Sequence, residues 1–98
     1  MEYSVKNNGG QVTATISGNI TFSQNVRFRQ MMKDLSEESL TACVIDISNV
    51  EMVDSAGLGM FLIAKEQADT EGWKLSVTGA SGHVETMLKL TKLSDLLT

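Results

Sequence analysis

The chain reads as a single mixed α/β domain: an N-terminal β-hairpin, then parallel β-α units, giving a four- to five-stranded sheet packed with about three helices. Three observations lead there. Two alternating segments flank an Asn-Asn-Gly-Gly turn at 7–10. After them, strand-period and helix-period stretches alternate, which implies parallel strands joined by right-handed crossovers. Finally, 98 residues with 42% hydrophobic and 20% charged residues suit one core and leave no room for a second. Residues 1–98 are therefore one domain, without internal repeat or linker.

Tyr3 to Asn7 forms a short, polar first strand. Asn7, Asn8, Gly9 and Gly10 tolerate positive φ and turn the chain. From Gln11 to Ser17, Val12, Ala14 and Ile16 occupy one face and Thr13, Thr15 and Ser17 the other, and Gly18 ends the strand. Thr21-Phe22-Ser23-Gln24 matches a capping box, with Thr as cap and Gln three residues on. A helix follows to about Glu38, its apolar stripe being Phe28, Met31, Met32 and Leu35.

Ala42 to Ser48 alternates again, with Cys43, Ile45 and Ile47 on one face. The second helix runs from about Ser55 to Glu71 and closes at Gly72, the usual left-handed C′ position. Its first half is apolar nearly all round, which implies either burial or a partner surface, and Met60 and Ile63 are its exposed-side candidates. Trp73 to Thr78 is a further strand. Ser81 can cap a third helix with apolar Val84, Met87, Leu88 and Leu90 and with His83 solvated in its first turn. Leu93 to Thr98 forms a last short strand or frays.

The informative stretch is Val53-Asp54-Ser55-Ala56-Gly57-Leu58-Gly59-Met60, where strand period gives way to helix period. Two glycines in a first helical turn cost roughly 2 kcal/mol against alanine, so something should offset them. Without Cβ atoms they let another backbone or surface approach. The unpaired N–H groups and dipole of a helix start favour an anion, making Ser55 a natural seat for a phosphoryl group. The plainer reading, with Asp54 or Ser55 as an ordinary N-cap, stands beside it on spacing alone.

Several chemistries are excluded. Net charge is −4 and the eight basic residues are scattered, which argues against nucleic acid as partner. One Cys and one His leave no zinc set, and Cys43 reads as buried filler. Gly-x-Ser-x-Gly, a dinucleotide fingerprint and a Walker lysine are all missing, so no catalytic residue or cofactor is assigned. The N-terminus lacks the features of a signal peptide, and no apolar run approaches the roughly 20 residues that span a bilayer, so a cytoplasmic protein without membrane insertion is expected.

These residues resemble the STAS domains, and among them the small bacterial anti-sigma-factor antagonists. The resemblance runs from Gly18-Asn19-Ile20 through Val44-Ile45-Asp46-Ile47-Ser48 and Asp54-Ser55-Ala56-Gly57-Leu58-Gly59 to Val84, Leu88 and Leu93. It implies a domain without catalysis of its own. Ser55 matches a serine phosphorylated by a partner serine kinase, often the anti-sigma factor itself, and restored by a PP2C-type phosphatase. Asp54, Ala56, Gly57, Leu58 and Gly59 would shape that site, and Thr21, Phe22 and Met60 would touch the partner. Two positions depart from the family pattern: Thr21 replaces an acid, and Lys92 replaces a Gly before Leu93. STAS-like domains also serve as accessory subunits of transport assemblies, lipid ABC systems included, and some bind nucleotide, for which the lack of a basic residue near Gly57 is unfavourable.

Overall fold

The computed structural model describes residues 1–91 and 93–97. Elements follow in the order β1 (Glu2–Asn8), β2 (Gln11–Ile20), α1 (Asn25–Ser36), β3 (Ala42–Val53), α2 (Ser55–Glu71), β4 (Lys74–Thr78) and α3 (Gly82–Lys89), with short 3-10 turns at Phe22–Gln24 and Ser94–Leu96. The strands form one four-stranded sheet in the order β1-β2-β3-β4. β1 pairs antiparallel with β2, and β2-β3 and β3-β4 are parallel.

Register places Tyr3 opposite Ile16, Val5 opposite Ala14, Ala14 beside Ile45 and Ile45 beside Val77. One sheet face is thus aliphatic, and it joins Phe28, Met31 and Leu35 of α1, Phe61 and Ala64 of α2, and Val84 and Leu88 of α3 in a single buried cluster. Phe28 and Phe61 meet edge to face with ring centroids 5.9 Å apart. Thr13, Thr15, Asp46, Ser76 and Thr78 share the opposite face, where none is buried. The layers are therefore helices on one side and a polar sheet surface on the other.

Four local expectations are corrected. Gly18 does not end β2: it adopts φ 87° beside an irregularity, and the strand continues to Ile20. β3 extends past Ser48 to Val53, because two bulges add residues to it opposite β2, at Thr15/Ser17 and Gly18/Asn19. Each bulge shifts the alternation by one, so period 2 is lost to inspection after Ile47 although pairing persists.

The Thr21 capping box does not form. Thr21 Oγ1 lies 3.1 Å from Ser23 Oγ and makes no cap bond, while Gln24 Oε1 accepts a 2.7 Å bond from the Met1 ammonium. The chain enters α1 through a 3-10 turn in which Gln24 N–H donates to the Thr21 carbonyl, so the regular helix starts at Asn25. In place of a fifth strand, the C-terminal segment is a 3-10 turn from which Leu97 makes an isolated parallel bridge to Val77. Lys92 lies outside the described residues.

Gly72 terminates α2 with φ 80° as expected, whereas Trp73 is buried but precedes β4 instead of starting it, and Ser81 occupies the α3 N-cap position without its side chain making the cap bond. Leu90 is an exception in the third helix, being 82% exposed just beyond its end.

Candidate functional site

The site is built where β2 and β3 end together. Ile20 and Val53 are register partners, and Asp54 N–H donates to the Ile20 carbonyl at 3.3 Å. Asp54 sits in extended conformation as the N-cap of α2, its Oδ1 accepting from Gly57 N–H at 2.7 Å. Its other oxygen, Oδ2, accepts from Phe22 N–H at 3.2 Å. One carboxylate therefore fastens the β2-α1 connection to the start of α2.

Ser55 is the first residue of α2 and is exposed. Its hydroxyl has no hydrogen-bond partner among the described residues. It projects beside N–H groups at a helix start, where a dianion is electrostatically tolerated. Capping falls to Asp54 alone, which leaves the Ser55 hydroxyl without an evident structural task.

The two glycines differ in kind. A Cβ on Gly57 would lie 2.1 Å from the Ile20 carbonyl oxygen and 2.8 Å from Val53 Cγ1. Gly57 is thus demanded from within, by the close crossing of α2 over the end of β2. A Cβ on Gly59 would meet nothing within 4 Å. Ala56, Leu58 and Gly59 are half-buried, Thr21 is half-buried, and Phe22 is 70% exposed.

Met60 departs from expectation. It is buried, only 6% exposed, and packs in the core with Phe61 and Ala64, while Leu62 (40%) and Ile63 (54%) carry the exposed apolar surface of α2. A helix start that is apolar all round gives periodicity nothing to phase it by. Met60 nonetheless forms part of the wall of a groove of about 700 Å³ between α1 and α2, with Phe22 at the same groove. Sequence reading missed this groove, its basic rim of Arg29 and Lys33, and the role of Gln67, whose Nε2 donates to the Met32 carbonyl (3.0 Å) and to Ser36 Oγ (2.9 Å). The stripe of Phe28, Met32 and Ser36 along α1 was the available signal.

No group of three or more His, Cys, Asp or Glu side chains suited to a metal occurs among the described residues. No described helix is long and apolar enough to cross a membrane. His83 is exposed in the first turn of α3. Cys43 is buried, and desolvation raises its thiol pKa to about 11.

The domain is a two-layer α/β fold that carries an exposed serine on a helix start capped by Asp54. The chain is a member of the STAS family: the family model described as "Mlab, STAS domain" matches residues 3–98. A STAS-domain-containing protein of Pseudomonas aeruginosa (strain UCBPP-PA14) is 26% identical over 88 residues, 90% of this chain and 86% of the relative. Among solved structures, the anti-sigma factor antagonist SpoIIAA in its unphosphorylated form superposes with a TM-score of 0.82 at 11% identity, covering 99% of this chain and 86% of that one. An anti-sigma factor antagonist from Mycobacterium paratuberculosis gives 0.84 at 24% identity, over 98% and 81% of the two chains. A sulfate transporter family protein from Wolinella succinogenes gives 0.77 at 18%, over 92% and 77%. These likenesses establish the fold.

Proposed function

We propose that this domain is a phosphorylation-controlled protein-binding switch of the anti-sigma-factor-antagonist kind. With Ser55 unphosphorylated it binds a partner serine kinase that doubles as an anti-sigma factor. Phosphate on Ser55 releases the partner, and a PP2C-type phosphatase resets the switch. The observation that carries this reading is the exposed, unpartnered Ser55 hydroxyl at the first position of α2, next to an Asp54 already occupied with Gly57 and Phe22.

Phosphorylation adds about −1.5 to −2 charges there. Because Asp54, not Ser55, caps the helix, the new charge breaks no internal bond. The fold survives and the surface changes. Relatives in fold that are named anti-sigma factor antagonists, one solved in an unphosphorylated form, support the same direction.

Site-resolved mass spectrometry of the protein from its native cells, with and without stress and with co-purifying partners identified, tests the proposal. Condition-dependent phosphate on Ser55 together with a co-purifying serine kinase or PP2C phosphatase is the expected outcome. A second reading, a non-catalytic accessory subunit of a transport assembly, draws on the likeness to a sulfate transporter family protein. Ser55 that is never modified, in a protein held stably by a transporter ATPase, would replace the switch with that reading.

A further inference from the structure

The groove between α1 and α2 has walls of different character. On α1, Phe28, Arg29, Met32 and Lys33 line it, and on α2, Ala56, Gly59, Met60 and Ile63 do so. The bonds from Gln67 to Met32 and Ser36 tie α1 to α2 on the side of the groove away from the α2 start, where Ala56 follows directly on Ser55. The floor is apolar and the flanks carry exposed Phe22 and Ile63.

Charge is one-sided. In a chain of net charge −4, the ionisable residues of the groove are Arg29 and Lys33, with no carboxylate among its lining. Neither takes part in a salt bridge among the described residues. Gly59 adds a second, independent observation. A glycine inside a helix costs stability, yet nothing in the fold occupies the space its Cβ would fill. Gly57 is explained from within the molecule, and Gly59 is not. It leaves the α2 wall low where an occupant's backbone would come closest.

We infer that this groove docks one amphipathic helix of a partner protein, with acidic residues flanking its apolar stripe. The inference rests on the reading of the domain as a protein-binding module and adds the docking place and the chemistry of what docks. Helix-in-groove recognition reads anchors at i, i+3, i+4 and i+7. α1 is 12 residues long, so a partner helix of about three turns matches its roughly 18 Å length. Its apolar anchors face Phe28, Met60 and Ile63, its small residue faces Gly59, and its carboxylates face Arg29 and Lys33.

A bilayer surface is the poorer occupant, because the feature is concave and offers two cations where membrane attachment uses a cluster of four or more. The position of Ser55 gives the groove a regulator. A phosphate beside its mouth adds negative charge to the approach of a negatively charged helix.

The test places a photo-crosslinking amino acid at position 63 of the full chain in its native cells and reads the cross-linked peptides by mass spectrometry. The expected product is a segment of another protein with net negative charge and apolar residues at helical spacing. That segment, made synthetically and labelled, then binds the purified protein saturably. Arg29→Glu combined with Lys33→Glu weakens it at least tenfold, and Gly59→Leu does likewise without lowering the thermal midpoint. Cross-links only to lipid, only to another copy of this chain, only to basic or non-helical segments, or none at all overturn the inference. So does a peptide whose affinity ignores both charge reversals. If Gly59→Leu misfolds, the surface variants at Arg29 and Lys33 decide alone. Absence of phosphate on Ser55 with an acidic cross-linked helix defeats the switch and leaves the groove assignment standing, whereas a phosphorylated Ser55 with no such helix does the reverse.

Discussion

Asp54 and Phe22, 32 residues apart in the chain, are joined by a 3.2 Å bond from the Phe22 N–H to Asp54 Oδ2. The same carboxylate holds Gly57 N–H at 2.7 Å through Oδ1. The exit from β2 and the entry to α2 thus share one acceptor. Replacing an N-cap Asp by Ala costs about 1 kcal/mol, and a hydrogen bond to a charged acceptor contributes roughly 1.5 to 3 when buried and less here, at a half-exposed site. Asp54→Ala should therefore lower stability by about 2 kcal/mol in urea titration, and Asp54→Asn by less than half of that. Amide exchange at Phe22 and Gly57 should accelerate in Asp54→Ala ahead of the core strands. Unchanged protection at Phe22 would mean that the bridge does not hold the loop.

Gly57 and Gly59 form a matched pair two residues apart. At Gly57 a methyl group would lie 2.1 Å from a backbone oxygen, which cannot move without parting α2 from β2. Overpacking of this kind costs about 3 kcal/mol or more. At Gly59 the same methyl enters open space, and exchanging a helical Gly for Ala gains up to about 1 kcal/mol. Gly57→Ala should be poorly folded or strongly destabilised, and Gly59→Ala should melt above the wild type. Equal effects on the two midpoints would contradict the geometry.

The order of elements was legible because period and punctuation agree along most of the chain: Asn-Gly at the hairpin, Gly72 after α2, alternation at 11–17 and 42–48. What was not legible depended on contacts distant in sequence. Two bulges shifted the phase of β3 beyond Ile47. Gln24, read as the partner of Thr21, instead accepts from the Met1 ammonium. Met60 reads as surface because a helix start apolar on every side carries no phase, and only its burial in the folded core, at 6% exposure, settles it as core. Ser55 and Asp54 were singled out by local spacing, whereas the tie from Asp54 to Phe22 and the reason for Gly57 require Ile20 and Phe22 to be brought in from another strand and loop.

Cys43 is a buried member of the sheet core, and burial lifts its thiol to a pKa of about 11, partly countered by a backbone hydrogen bond at Ala14. The thiolate is the reactive form, so at neutral pH the native protein presents almost none of it. Alkylation by iodoacetamide at pH 8 should be negligible in the folded state and rapid in denaturant. Its residual rate should follow the unfolded population as urea is raised. Fast labelling of the native protein would show that the strand opens locally.

Tyr3 couples the edge strand to a helix: its hydroxyl donates to Asp34 Oδ2 at 2.5 Å, with Gln30 Nε2 on Oδ1 at 3.0 Å and the Arg27 guanidinium 4.7 Å from the ring centroid. The Tyr3 hydrogen bond, followed by that of Gln30, holds the Asp34 carboxyl below its ordinary 3.8, and the same bond holds the phenol above 10.0. For the acid, the unfolded chain takes up the proton first. Its contribution is present above the unfolded pKa and is lost as pH falls through the folded one. For the phenol the contribution is present below its unfolded pKa and is lost as pH rises through the folded one. Tyr3→Phe keeps the ring under Arg27 and removes only the bond. Its urea midpoint should lie below the wild type's across the neutral range, and the two should converge at both extremes. Some acid slope remains in the variant, because Asp46 is also held low by the N–H and hydroxyl of Ser48. Midpoints that run parallel from acid to alkaline pH would show that the Tyr3 hydroxyl sets neither titration.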